Sequence, residues 1–134
     1  MICVDTSVWI AARSGRGAVA SDHLRSELRA GLVLMPVVVR LELLAGVSRR
    51  ERQWLRESLD VLAVQRPSEN TWARIEAWGV EAAAKGRRFS LPDLIIAALA
   101  AELDAELWTL DKAFDAMAET GWVKLFNAPP SGPR

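Results

Sequence analysis

Four acidic residues of this 134-residue chain stand where a carboxylate can do chemistry: Asp5, Glu42, Asp93 and Asp111. Asp5 ends the apolar run Met1-Ile2-Cys3-Val4 and is followed by two hydroxyls, Thr6 and Ser7. Glu42 is set among Val37-Val38-Val39-Arg40-Leu41 and Leu43-Leu44, where its neighbours read as buried. An ionised carboxylate there needs a partner, either a cation such as Arg40 or Arg49 or a metal. Asp93 opens an apolar helix, and Asp111 closes a strand, with Asp115 one turn further along the same face. Gathered together, such acids could not all stay ionised without a cation. Hard oxygen donors without His or Cys beside them suit Mg²⁺ or Mn²⁺ rather than zinc. A metal held this way turns water into a nucleophile and stabilises a leaving oxygen, and phosphodiester hydrolysis is the reaction best suited to it.

Each acid also has a local explanation that needs no metal. Asp5 and Asp111 sit where a side chain accepts the first amides of a helix, although Ser7 can cap in place of Asp5. Ser90-x-x-Asp93 has the spacing of a capping box. The case for a site therefore rests on whether the fold brings the four together.

Several elements must do that. Met1–Val4 reads as a buried strand running into a helix at Asp5-Thr6-Ser7. Ser14-Gly15-Arg16-Gly17 is a loop, and Val19, His23, Leu24 and Leu28 follow helical spacing up to Gly31. Leu32–Met35 is a second strand, Pro36 a first helical residue, and Val37–Ala45 a largely buried helix that Gly46 ends. Arg49–Leu59 is an exposed helix and Val61–Val64 a third strand. Pro67-Ser68-Glu69 starts a long helix ending near Lys85-Gly86, with Trp72, Ile75, Gly79 and Ala82 as its apolar stripe. The next helix carries Leu91, Leu94, Ile95, Ala98 and Leu99, leaving Asp93 beside Ala97 and Ala100. Glu106–Leu110 is a fourth strand, a short helix follows from Lys112, and Trp122–Phe126 is a last strand. Strands alternating with helices predict an α/β fold with a mainly parallel sheet, whose reactive crevice lies at the carboxyl ends of the strands. Asp5 and Asp111 are both at that level. One domain over residues 1–126 and a flexible tail over 127–134 are expected.

The segments around the acids carry a resemblance. Val4-Asp5-Thr6-Ser7-Val8-Trp9-Ile10, Leu41-Glu42-Leu43-Leu44-Ala45-Gly46, Leu91-Pro92-Asp93-Leu94-Ile95-Ile96-Ala97-Ala98 and Leu107-Trp108-Thr109-Leu110-Asp111-Lys112-Ala113-Phe114 resemble the PIN domain. More closely, the chain resembles VapC-type toxins of bacterial toxin–antitoxin pairs, from Ile2 to about Phe126. The resemblance implies a three-layer α/β/α sandwich and metal-dependent cleavage of RNA by a homodimer. It also implies inhibition by a small cognate antitoxin inserted near the active site. It assigns catalysis to Asp5, Glu42, Asp93 and Asp111, and metal binding to Asp5, Asp93 and Asp111. Thr6, Ser7 and Asp115 are left as supporting or substrate-contacting residues. In one respect the chain departs from the pattern: many relatives have a second acid two residues beyond the Asp111 position, and Ala113 stands there.

Composition narrows the alternatives. Cys3 is the only cysteine, so an internal disulfide is impossible and a reducing cytoplasm is expected. Asp5 interrupts any signal peptide, and the longest apolar run is far short of the roughly 20 residues that span a bilayer. His23 is the only histidine and is expected at a helix surface or edge, which leaves Ser–His and Cys–His catalysis without a base. The formal net charge is zero, against indiscriminate electrostatic binding of nucleic acid, yet 14 of the 17 basic residues are arginine and four crowd into positions 49, 50, 52 and 56. Those side chains suit phosphate recognition or a solvated helix face. The tryptophans read mostly as core or interface anchors, although Trp9, near Asp5, could stack on a base. Trp72, Trp78, Gly79, Ala82 and Ala83 offer apolar surface for a dimer. Two rival functions remain: a Rossmann-like phosphatase using Asp5 as nucleophile, and a non-catalytic PIN-like regulatory module.

Overall fold

The computed structural model describes residues 1–14 and 21–128. Gly15, Arg16 and Gly17 of the expected loop, Val19 of the following helix and tail residues 129–134 lie outside the described residues. The elements run β1 (Ile2–Val4), α1 (Thr6–Ser14), α2 (Ser21–Arg29), β2 (Val33–Pro36), α3 (Val37–Gly46) and α4 (Arg49–Leu59). They continue with β3 (Val64–Gln65), α5 (Glu69–Ala84), α6 (Leu91–Glu102), β4 (Glu106–Trp108), α7 (Ala113–Glu119) and β5 (Lys124–Leu125).

The five strands form one sheet in the order β3-β2-β1-β4-β5, and every pairing is parallel. Alternation along each strand divides the apolar side chains between two cores. Cys3, Leu34 and Leu107 pack with α3, α5, α6 and α7, while Ile2, Val4, Val33 and Trp108 pack with α1 and α2. The result is the expected three-layer sandwich. The chain winds from β1 outward through β2 to β3, then crosses back to β4 and out to β5. The direction of winding therefore reverses between β1 and β4, where the connections part and open a crevice at the strands' carboxyl ends.

Most elements form where the pattern of residues places them, and the exceptions have local causes. Pro36 ends β2 instead of entering α3: at φ −60° and ψ 141° it is extended, and it pairs in register with Gln65. The third strand starts later than expected because Val61 faces solvent in the turn after α4. The fourth ends at Trp108 and the last keeps only Lys124–Leu125 of Trp122–Phe126. On α5 the buried stripe is Thr71, Ile75, Trp78 and Ala82, whereas Trp72 is exposed. Thr71 is buried because its hydroxyl closes a capping box with Ser68 and donates 2.8 Å to Glu102 of α6. Leu91 is exposed too, and α6 is buried on every side from Leu94 to Ala100. Its alanines let it lie close between the sheet and α5.

His23 is not a free surface residue. Its ring stacks on Phe126 at 5.7 Å and meets Trp108 edge-on at 5.6 Å, so it works as an aromatic side chain of the smaller core. Trp9 packs partly buried against both cores rather than standing open beside Asp5. No helix of the described residues is long and apolar enough to cross a membrane.

Candidate active site

Asp5 leaves β1 and Asp111 follows β4, the two strands on either side of the winding reversal. Asp5 is only 5% exposed, and its carboxylate caps no helix. Its Oδ2 instead accepts two hydroxyls, from Ser7 and from Thr109, each at 2.8 Å. Both hydroxyls have a second duty on the loop after β4. Ser7 Oγ accepts the Leu110 amide at 3.0 Å, and Thr109 Oγ1 accepts the Asp111 amide at 3.0 Å. One buried carboxylate and two hydroxyls thus tie the start of α1 to the loop that carries Asp111. The two hydroxyl donors meet the hydrogen-bonding demand of the buried carboxylate.

Glu42 reaches the same crevice from α3. It is exposed, not buried as its apolar neighbours imply, because α3 buries only Val39 and Leu43 and leaves Leu41 and Ala45 open. Its Oε1 accepts the Thr6 hydroxyl at 2.9 Å. The cationic partners considered for it are engaged elsewhere or apart: Arg40 pairs with Asp60 at 2.6 Å, and among the described residues no ion pair to Glu42 forms. Arg52, one of the four clustered arginines, holds the carbonyls of Leu44 and Val47 at the end of α3.

Asp93 stands in the first turn of α6, half-buried. Ser90 caps that turn by accepting the Asp93 amide at 3.3 Å. Burial holds the Asp93 carboxyl above its ordinary range; a hydrogen bond with Ser90 opposes this, and the charges of Asp111, Asp5 and Glu42 push the same way as burial. The three acids that act on Asp93 are the three grouped with it from the sequence. Four positions separated by up to 106 residues (5 to 111) therefore share one electrostatic neighbourhood. Asp115 is exposed on α7 and is not among the charges acting on Asp93, so nothing here makes it a substitute for the acid missing at Ala113.

Asp111 serves partly as a cap as well: its Oδ1 accepts the Ala113 amide at 2.9 Å. The capping explanation is thus realised for one oxygen of Asp111 and fails for Asp5. Thr109 is the residue that motif reading passed over, since a threonine after a strand carries no signal until the strand order sets it beside Asp5.

Among the described residues, no three His, Cys, Asp or Glu side chains converge to grip a single ion as they stand. The carboxylates meet as charges and fall short of a finished cage. Their chemistry nevertheless fits a hard divalent cation, which is what relieves mutual repulsion among oxygen donors. Asp111 and Glu42, both exposed, have room to turn towards one. Cys3, two residues before Asp5 in β1, adds no soft ligand: burial, reinforced by the charge of Asp5, pushes its thiol up to about 12.

A family model described as the PIN domain matches residues 2–120. Among solved structures, VapBC2 of Rickettsia felis bound to a promoter DNA fragment is 23% identical, with a TM-score of 0.74 over 96% of this chain and 100% of that one. VapBC-1 of nontypeable Haemophilus influenzae is 20% identical, with a TM-score of 0.73 over 95% and 98%. The FitAcB structure of Neisseria gonorrhoeae is 22% identical, with a TM-score of 0.70 over 95% and 97%. At these identities the likeness is one of fold. A comparison with curated proteins finds no match.

Proposed function

The chain belongs to the PIN-domain family, and we propose that it is a metal-dependent ribonuclease, the toxin of a toxin–antitoxin pair. The observation that carries this reading is that Asp5 is tied through Ser7 and Thr109 to the loop bearing Asp111, Glu42 is tied through Thr6 to the start of α1, and all three charges act on Asp93. Asp5, Asp93 and Asp111 would hold Mg²⁺ or Mn²⁺. When bound, that ion supplies a water of lowered pKa and offsets charge on the leaving oxygen of an RNA phosphodiester.

The side chains divide the remaining work. Asp5, fixed by Ser7 and Thr109, is the preorganised anchor. Glu42 has one oxygen on Thr6 and the other free to orient the attacking water or take its proton. The phosphatase alternative loses ground because Oδ2 of Asp5 is occupied by two donors and Ser7 stands where such enzymes want a second acid. A non-catalytic module gains nothing from four acids held in mutual repulsion.

The structures of similar fold described as VapBC and as a toxin–antitoxin complex support an antitoxin partner. Ile10 on α1, Leu41 on α3 and Trp54 on α4 are exposed apolar side chains on elements that touch one another, a surface such a partner would cover. Homodimerisation and residence in the cytoplasm belong to the same reading. The dimer surface on α5 must be redrawn, however, since Trp78 and Ala82 are used inside the fold, while Trp72, Val80 and Ala83 are exposed.

The direct test is cleavage of single-stranded RNA by the purified chain after exhaustive chelation, with each metal restored in turn. Activity should vanish in chelator and return with Mg²⁺ or Mn²⁺, and an equivalent DNA or a small phosphomonoester should not be turned over. Undiminished cleavage in chelator would overturn the mechanism. A finer expectation concerns Thr109→Val, which removes one donor to Asp5 and the acceptor for the Asp111 amide. Residues that orient metal ligands typically contribute about 10–100-fold, and a loss of that size is expected here. Saturating metal should recover part of it if the loss is one of metal affinity. An unchanged rate would show that Asp5 does not need its clamp.

A further inference from the structure

Beside the acidic crevice, and sharing Thr109 and Asp111 with it, lies a cleft of about 150 Å³ between the loop after β4, the start of α7 and the end of β5. Leu125 and Phe126 give its inner side an apolar portion. Phe126 is backed by His23 and by Trp108, with ring centroids 5.7 and 5.2 Å away. The rim is polar and carries both signs, with Lys112, Asp115 and Asn127 all exposed. Backbone bonds fix the rim in place: the Asp115 amide donates to Lys112 at 3.0 Å and the Phe126 amide to Leu107 at 2.8 Å.

We infer that this cleft receives one base of the RNA next to the cleaved phosphate, and that it selects cytosine. The inference rests on the ribonuclease reading for its substrate and on the cleft for its choice of base. About 150 Å³ of inner space holds a benzene-sized ring and so accommodates one pyrimidine. The apolar portion suits the faces and edges of such a ring. Discrimination comes from Asp115, which only accepts hydrogen bonds when ionised. Cytosine offers it the N4 amine, whereas uracil turns a carbonyl oxygen towards it. Asn127 can both donate and accept on the remaining edge, and Lys112 stands ready for the phosphate on the outer side.

The test is cleavage of a randomised single-stranded RNA, with the bases on both sides of every cut read out. Wild type should favour cytosine over uracil by about tenfold at one flanking position, the size of a good base-edge contact. Asp115→Asn should level that preference, because an amide can turn either its oxygen or its nitrogen to the ring. Asn127→Ala, at an exposed position, should weaken cleavage next to either pyrimidine. No cytosine preference in wild type, or one that Asp115→Asn leaves intact, would overturn the assignment. A separate arm titrates the protein with cytidine and uridine monophosphates while following the Asn127 side-chain amide by NMR. If wild type cleaves no RNA but cytidine monophosphate moves that signal more than uridine monophosphate, the cleft stands and the ribonuclease reading falls. If neither nucleotide moves it, the cleft assignment falls.

Discussion

Replacing Asp93 by asparagine is expected to lower RNA cleavage by on the order of 100-fold or more, the scale of losing one preorganised electrostatic group at a reaction centre. The same substitution should not destabilise the metal-free protein, and near neutral pH it should raise its melting temperature. The direction follows from the raised pKa of this carboxyl, caused first by burial and then by the charges of Asp111, Asp5 and Glu42. A group whose folded pKa lies above its unfolded one lends stability below the unfolded value and loses it as pH rises through the folded value. At neutral pH an ionised Asp93 is therefore a cost that asparagine does not carry. The cap of α6 survives, because Ser90 accepts the backbone amide of residue 93. If the carboxylate itself were the important cap, its loss would instead cost about 0.5–2 kcal/mol with cleavage retained. Melting curves between pH 4 and 7 should show wild type weakening relative to Asp93→Asn as pH rises. Added Mg²⁺ should then stabilise wild type more than the variant, since a ligand of the folded state stabilises it more the tighter it binds. A folded Asp93→Asn protein that cleaves at the wild-type rate would remove Asp93 from the site.

Much of this arrangement is legible in the chain because the acids sit at element boundaries. A short apolar run ending in an acid and hydroxyls marks both the strand and the level of the sheet at which the carboxylate emerges. Ser68 likewise announces α5 by capping it. What the chain conceals is which apolar faces are covered. Leu41 is 60% exposed in a helix that reads as core, and the same pattern misplaces Glu42 in the interior. Apolar residues kept for a partner and apolar residues kept for the core look alike in one dimension. Thr71 errs in the opposite sense, a polar residue buried because Ser68 and Glu102 satisfy it. Thr109 is invisible for a third reason: its role depends on β1 and β4 being neighbours, a long-range pairing that no local pattern encodes.

Trp78→Ala is expected to produce the largest loss of stability, about 3–5 kcal/mol, the usual range for emptying a large aromatic site. For a domain of this size that is a fifth or more of a typical total of roughly 5–15 kcal/mol. Trp78 is 8% exposed and lies flat on Trp122, with ring centroids 4.7 Å apart and planes within 1°. Arg74, one turn earlier on α5, places its guanidinium 5.6 Å over the same ring. Trp122 stands just before β5, so this stack fastens the edge strand to the helical layer behind it. Loss of Trp78 should therefore raise amide exchange in β5 and around Phe126 before it reaches β1. Trp72→Ala, on the exposed side of the same helix, should change stability far less and act on self-association if α5 mediates any. Urea unfolding of both variants at two protein concentrations separates these roles. The Trp78→Ala midpoint should fall at both concentrations alike, because the contact is within one chain. A fall that appears only on dilution would mean that Trp78 stabilises an interface between copies, and the stack on Trp122 would lose its place as the tie that holds β5.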